Sequence, residues 1–253
     1  MIYGLYLSAT GVLASTYRQD VIANNLANSE TIGFKKDLAS FQERPVASQE
    51  STHAGSPSND LLDNIGGGLL AMPTQIDMTQ GTLVNTGSSM DAAIQGPGLF
   101  EVQSGPNLRL TRDGQFQIDS QGNLVLSNDR GQKVLGDDSK PIQLDPSQPI
   151  AIGPSGQIIQ GGKNVAQLGL FDVPKPGELR KEGDGLYSYA NLKSLTPSTG
   201  SIRGQTLEQS NVDPTTEMTG LMDAERQLEA NMNMIRYQDA TLAALVNTVG
   251  KAS

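Results

Sequence analysis

Residues 213–249 read DPTTEMTGLMDAERQLEANMNMIRYQDATLAALVNTV. The first two residues open a helix. Asp213 suits an N-cap, and Pro214 suits the first helical position, where a missing N–H costs nothing. Leu221, Leu228, Ile235, Leu242 and Val249 then recur every seven residues. Met218, Met232 and Val246 supply a second series, which Glu225 and Asp239 interrupt. Eight of these ten positions are apolar, over more than four heptads, which is a coiled-coil pattern. An amphipathic helix packed on its own domain would carry a wider apolar stripe. The narrow seam therefore predicts a partner helix.

The opposite end of the chain offers one. Ile2, Leu5, Tyr6, Ala9, Val12, Leu13, Thr16, Ala23 and Leu26 recur at three- and four-residue spacing, which predicts a helix over about 2–28. Arg18, Gln19, Asp20, Asn24 and Asn25 supply its polar surface. From Leu108 onward, short β-prone runs alternate with turn signals: Asp113-Gly114, Ser120 to Asn123, Asn128 to Gly131, and Gly136 to Asp138. Turns so close together predict a meander of antiparallel strands. A second strand-rich stretch runs from Ile150 to Tyr189. Residues 42–68 are rich in Pro, Ser, Gln, Asn and Gly and read as an extended connector. The expected fold is α+β. Long N- and C-terminal helices pair as an α-helical, coiled-coil domain around an inserted antiparallel all-β body. The expected boundaries are 1–41 for the N-terminal helix and turn motif, 42–79 for the connector, 80–210 for the body and 211–253 for the C-terminal helix.

Composition narrows the function. Asp plus Glu is 27 against 18 Lys plus Arg, a net charge of −9. An acidic chain without a basic cluster predicts no nucleic-acid partner, because phosphate neutralisation dominates that affinity. No run of about 18 apolar residues predicts a membrane span. The N-terminus has no basic n-region, so no cleaved secretory signal is expected. There is no Cys and one His, His53, so neither a thiolate nor a multi-histidine metal site can form. Gly96-Pro97-Gly98 lacks the third Gly of a nucleotide-binding fingerprint, and Pro97 removes an amide such a loop needs. It reads as a tight turn before a strand. Asp113 and Asp119 sit beside turns, without the spacing of a calcium loop. No nucleophile, base and orienting group come together in the sequence. No cofactor, metal or catalytic residue is expected. Two distant carboxylates of a secreted carbohydrate-active enzyme are the alternative from another class.

Asn24-Asn25-Leu26-Ala27-Asn28, then Thr31 and Gly33-Phe34-Lys35, resembles the N-terminal signature of bacterial flagellar rod and hook proteins. Asn28 and Thr31 can end the helix through side-chain bonds to backbone, and Gly33 permits a turn that bulkier residues resist. The resemblance continues in Gln80-Gly81-Thr82-Leu83, Met90 to Ile94, Gly96 to Phe100, Leu110 to Phe116 and Leu207 to Val212. Arg226 to Ile235 looks more like the proximal than the distal rod branch of that family. The resemblance implies export through the flagellar type III apparatus. It implies a periplasmic rod of stacked subunits that transmits torque, with contacts to copies of the chain and to other proximal and distal rod proteins. It implies that subunit contacts fall on Asn24, Asn25, Leu26, Asn28, Thr31, Gly33 and Phe34, and on the seam residues Met218, Leu221, Leu228, Met232, Ile235, Leu242, Val246 and Val249.

Overall fold

The computed structural model describes residues 2–44, 68–128, 130–153 and 155–249. His53 and most of the expected connector lie outside the described residues. So does the side chain of Val249, although its backbone ends the last helix. The chain packs as two compact units. One takes the described residues of 1–26, 37–75 and 213–253; the other takes 27–36 and 76–212.

The first unit contains both long helices, α1 (Ile2–Ala27) and α2 (Pro214–Val249), and a two-stranded ribbon, β1 (Asp37–Glu43) with β2 (Leu69–Ile76). Asp213 caps α2 through its side chain. Oδ1 accepts the Thr215 amide at 3.0 Å and Oδ2 accepts the Thr216 hydroxyl at 2.7 Å. The helices lie side by side and run antiparallel. Asn25 Nδ2 reaches Glu217 Oε2 at 3.4 Å. A β-carbon built on Gly220 would stand 3.5 Å from Ile22, and one on Gly11 or Gly4 would stand 2.9 Å from Asn231 or Gln238. The sequence positions descend on α1 as they climb on α2. Glycines at these points let the helices approach closely.

The ribbon lies against α1. Tyr17 meets the Phe41 ring edge-to-face at 5.9 Å and donates its hydroxyl to Met72 O at 3.0 Å. Leu69–Ile76, within the stretch expected to be connector, is thus a strand. Pro73 is tolerated because a two-stranded ribbon leaves half its backbone groups unpaired.

The expected seam is corrected in one series. Leu221, Leu228, Ile235 and Leu242 are half-buried. Met218, Met232 and Val246 are 53%, 42% and 70% exposed. A second inward series lies one residue earlier, with Glu217 and Ala224 buried and Asn231 and Gln238 half-buried. It is small and polar, so a hydrophobic pattern search passes over it. Glu225 and Asp239, which interrupted the expected series, mark an outward-facing line.

The second unit is a β-body in which each strand pairing is antiparallel. Its strands begin with β3 (Leu83–Asn85), β4 (Ala92–Gln95), β5 (Leu99–Ser104), β6 (Asn107–Thr111), β7 (Phe116–Ile118), β8 (Leu124–Leu126) and β9 (Lys133–Val134). Then come β10 (Ile150–Ile152), β11 (Gln157–Gln160), β12 (Lys163–Gln167), β13 (Leu170–Asp172), β14 (Arg180–Gly183), β15 (Leu186–Ser188) and β16 (Thr196–Pro197). β17 (Ser201–Gly204) and β18 (Thr206–Glu208) are last. The main sheet runs β14-β15-β6-β5-β9-β8-β7, with β13 also on β5. Alternation along β5 separates two cores. Phe100 and Val102 enter the larger one with Phe116, Leu126, Val134 and Ile158, while Leu99 joins Leu110, Val173 and Tyr187. β17 and β18 return to pair with β4 and β3, which closes the body on its own beginning.

Candidate functional site

Residues 33–36 leave α1 and enter the β-body, where charge is most deeply buried. The turn begins at Gly33, whose φ of +66° few side chains adopt. A β-carbon there would also stand 2.6 Å from the Arg112 carbonyl carbon, so two independent reasons require Gly. The turn delivers Lys35 to the end of β18. Lys35 Nζ donates to Glu208 Oε1 at 2.6 Å and to Thr79 O at 2.7 Å. Arg112, just past β6, places Nε 2.7 Å from Glu208 Oε2. Its other nitrogens bind Gly96 O at 2.6 Å and Gly98 O. The Gly81 amide adds a bond of 2.8 Å to Glu208 Oε1. Lys35 and Glu208 are fully buried, and Arg112 is 2% exposed.

The electrostatics follow from this geometry. Burial pushes the Lys35 ammonium below its usual pKa, while the hydrogen bond and charge of Glu208 oppose that shift. Two cations share one carboxylate, and carbonyls of Thr79, Gly96 and Gly98 accept further hydrogen bonds from them. The cluster is satisfied and closed to solvent, so its chemistry is clamping. Beside it, burial raises Asp113 from 3.8 to about 6. The Gln115 amide on Oδ1 opposes this, and the Asp91 charge adds to it.

Asn211 makes a second set of bonds to the same segments. Its Oδ1 accepts the Lys36 amide at 2.7 Å, and its Nδ2 donates to Asp77 O at 2.9 Å. Lys181 Nζ sits 3.8 Å above the Phe34 ring, a cation–π contact.

The sequence-predicted residues divide between the two units. Gly33 and Phe34 are buried in the body. Asn25, 1% exposed, grips the Asp37 backbone on both sides, at 2.8 Å to N and 2.9 Å to O. Asn24 is exposed and Leu26 half-buried. Asn28 and Thr31 meet just past the end of α1. The Thr31 amide bonds Asn28 O at 3.2 Å, and the two side chains bond each other. On α2, Met218, Met232 and Val246 face outward with Met222 and Leu245, while Leu221, Leu228, Ile235 and Leu242 are half-buried.

Sequence reasoning missed Lys35, Arg112, Glu208, Asn211 and Lys181 as a group. No local signal marks them: Lys36 and Asp37 follow Lys35, Arg109 and Asp113 flank Arg112, and Glu208 lies in a polar run. Sequence alone could not show that these stretches meet. Among the described residues, no group of three or more His, Cys, Asp or Glu could hold a metal ion, and no helix is long and apolar enough to cross a membrane.

Among the described residues, charge is buried against backbone carbonyls in the β-body, and a long helix presents methionines outward. Three stretches match described families. Residues 5–35 match flagella basal body rod proteins, 93–160 the flagellar hook protein FlgE/F/G D1 domain, and 203–248 the C-terminal region of flagellar basal body rod FlgEFG proteins. The flagellar basal-body rod protein FlgG of Buchnera aphidicola is 32% identical over 259 residues, covering 97% of this chain and 99% of the relative. FlgG of Bacillus subtilis is 33% identical over 274 residues, covering 98% and 99%. FlgF of Caulobacter vibrioides is 30% identical over 249 residues, covering 98% of each. The chain belongs to the flagellar basal-body rod protein family.

Proposed function

We propose that the chain is a subunit of the flagellar basal-body rod that assembles through its terminal helices and transmits torque. The observation that carries this reading is the outward line on α2, where Met218, Met222, Met232 and Val246 are all more than 40% exposed. Each such side chain gains about 1.5–3 kcal/mol on full burial, before ordering costs. A helix that exposes such a line gains stability from a neighbour that covers it. The pairing of α1 with α2 as a coiled coil belongs to the same reading. The antiparallel contacts from Asn25–Glu217 to Gly4–Gln238 support it. The partners are copies of the chain and other rod proteins, and the route is type III export to a periplasmic rod.

The proximal branch is the first assignment, on the run Arg226 to Ile235. The distal branch is the second reading, favoured by the FlgG identities of 32% and 33% against 30% for FlgF. Expression in strains that lack one rod gene each tests both. Restored motility in the FlgF-deficient strain alone supports the proximal assignment, and restoration in the FlgG-deficient strain alone replaces it with the distal one. Failure in every rod mutant, with the protein produced and exported, overturns the rod reading.

A further inference from the structure

Where the β5–β9 ladder ends, the β-body holds a recess of about 230 Å³. Gln103 stands opposite Lys133 there. Continuing that antiparallel register sets Ser104 across from Gln132 and Gly105 across from Gly131. Both glycines have positive φ, +60° and +54°, and a β-carbon on either would meet nothing within 4 Å. The recess is therefore open where two side chains would otherwise fill it. Gln132 lines it and is 3% exposed. Its Oε1 and Nε2 are both buried, and neither has a hydrogen-bond partner in the protein. Among the described residues, no other side chain has both a donor and an acceptor in that condition. Burying an unpaired carboxamide is costly, and Met would fill the same place without that cost, so packing gives no reason for it. Two cations share the lining. Arg130 pairs its Nε with Asp184 at 3.0 Å, which leaves two Nη atoms for an anion. Half-buried Lys133 adds a second positive charge, which also reaches Asp119.

We propose that this recess binds a small carboxylate that carries adjacent hydroxyls, the chemistry of a sugar acid. The carboxylate meets Arg130 and Lys133. Gln132 donates from Nε2 to one hydroxyl and accepts the neighbouring hydroxyl's proton at Oε1, so both unpaired atoms are satisfied by one ligand. The three side-chain torsions of Gln132 give its amide the reach to do so. The site lies within the β-body and is independent of assembly through α2.

Titration of the full chain with glucuronate, followed by amide NMR and calorimetry, tests it. Glucuronate should shift the Gln132 side-chain resonances saturably. Glucose, which lacks the carboxylate, and acetate, which lacks the hydroxyls, should each bind at least about tenfold more weakly. Gln132→Met should weaken glucuronate binding at least about tenfold and also raise the urea midpoint, because two unpaired atoms disappear. A gain of stability with a loss of binding separates recognition from misfolding. Arg130→Gln, a change at an exposed side chain, should weaken binding similarly and leave the midpoint in place. A tetrasaccharide containing glucuronate distinguishes the sources: tighter binding than the monomer assigns a glycan, weaker binding a free sugar acid, and either keeps the proposal. The absence of a saturable shift with glucuronate overturns it, as does equal affinity for acetate or glucose, or full affinity in Gln132→Met. A lowered midpoint in Gln132→Met overturns it too, since the amide would then be paired inside the fold.

Discussion

The β-body and the helical unit handle polar groups in opposite ways. In the body, Lys35, Arg112 and Glu208 are withdrawn from solvent, and their donors end on carboxylate or carbonyl oxygen. In the helical unit, buried polar groups such as Asn25 and Glu217 bridge the helices, while Met218, Met232, Tyr237 and Val246 stand in solvent. The body thus finds its stability within itself, around two apolar cores and one satisfied charge cluster. The helical unit leaves apolar side chains exposed on α2. Substitutions in the two units should separate stability from assembly.

The largest loss of stability is expected at Gly33. Gly33→Val forces a β-branched residue to φ +66° and pushes its Cβ onto the Arg112 backbone. Strain of about 1–3 kcal/mol for the conformation adds to about 1–3 kcal/mol for overpacking. Urea denaturation followed by β-sheet circular dichroism should show that sum, or a body that does not fold. A variant of unchanged midpoint would mean the turn relaxes freely.

Next is Glu208→Ala, which leaves Lys35 and Arg112 buried without their carboxylate. Breaking a buried pair in this way costs about 3–5 kcal/mol. Replacing Lys35 by Met in the same chain should recover part of the loss, since one uncompensated cation disappears. The comparison between single and double variants, by the same denaturation, checks whether the cluster acts as one unit. No recovery would show that Lys35 finds another partner.

A smaller effect follows from Asp113. Its carboxyl is raised to about 6 in the folded chain, against an ordinary 3.8. The folded state therefore holds its proton across that window while the unfolded state releases it. Stability is greatest below about pH 3.8 for this group and falls as pH rises through 6, by up to about 1.4 kcal/mol per pH unit. Asp113→Asn should flatten this part of the profile, measured as unfolding midpoint from pH 4 to 7. A wild-type profile already flat there would contradict the shift.

Much of the architecture is legible from sequence because it rests on periodicity and turn chemistry. The Asp213-Pro214 start of α2, the early helix and the close turns after Leu108 each have a local cause. What escaped has non-local causes. Glu208 is one acidic residue near the end of a strand until β18 pairs with β3 and meets Lys35 and Arg112. Residues 33–36 follow a helix in sequence, yet their long-range hydrogen-bond partners lie at 77–79, 181 and 208–211. The second seam series escaped for another reason. Apolar patterning selected Met218, Met232 and Val246, whereas close helix approach favours small and polar residues such as Ala224 and Asn231.

That one-residue displacement gives the prediction with the smallest effect on stability. Met232 is 42% exposed on α2, one residue beyond half-buried Asn231, whose amide lies at Gly11. Met232→Asp places its charge in solvent and removes no contact of the inward line. Surface changes of this kind fall within about ±0.5 kcal/mol, so the unfolding midpoint of the isolated chain should hardly move. Leu228→Asp, on the half-buried line, should lower it by about 1–3 kcal/mol, because a charge there meets an apolar contact. Both variants should abolish motility. In the rod, Met232 would be covered by a neighbour that offers the new charge no hydration. A motile Met232→Asp strain would mean that the outward methionines stay in solvent after assembly. Equal destabilisation by the two variants would mean that α2 rotates to bring Met232 inward, and the first-read seam would then be the one the helices use.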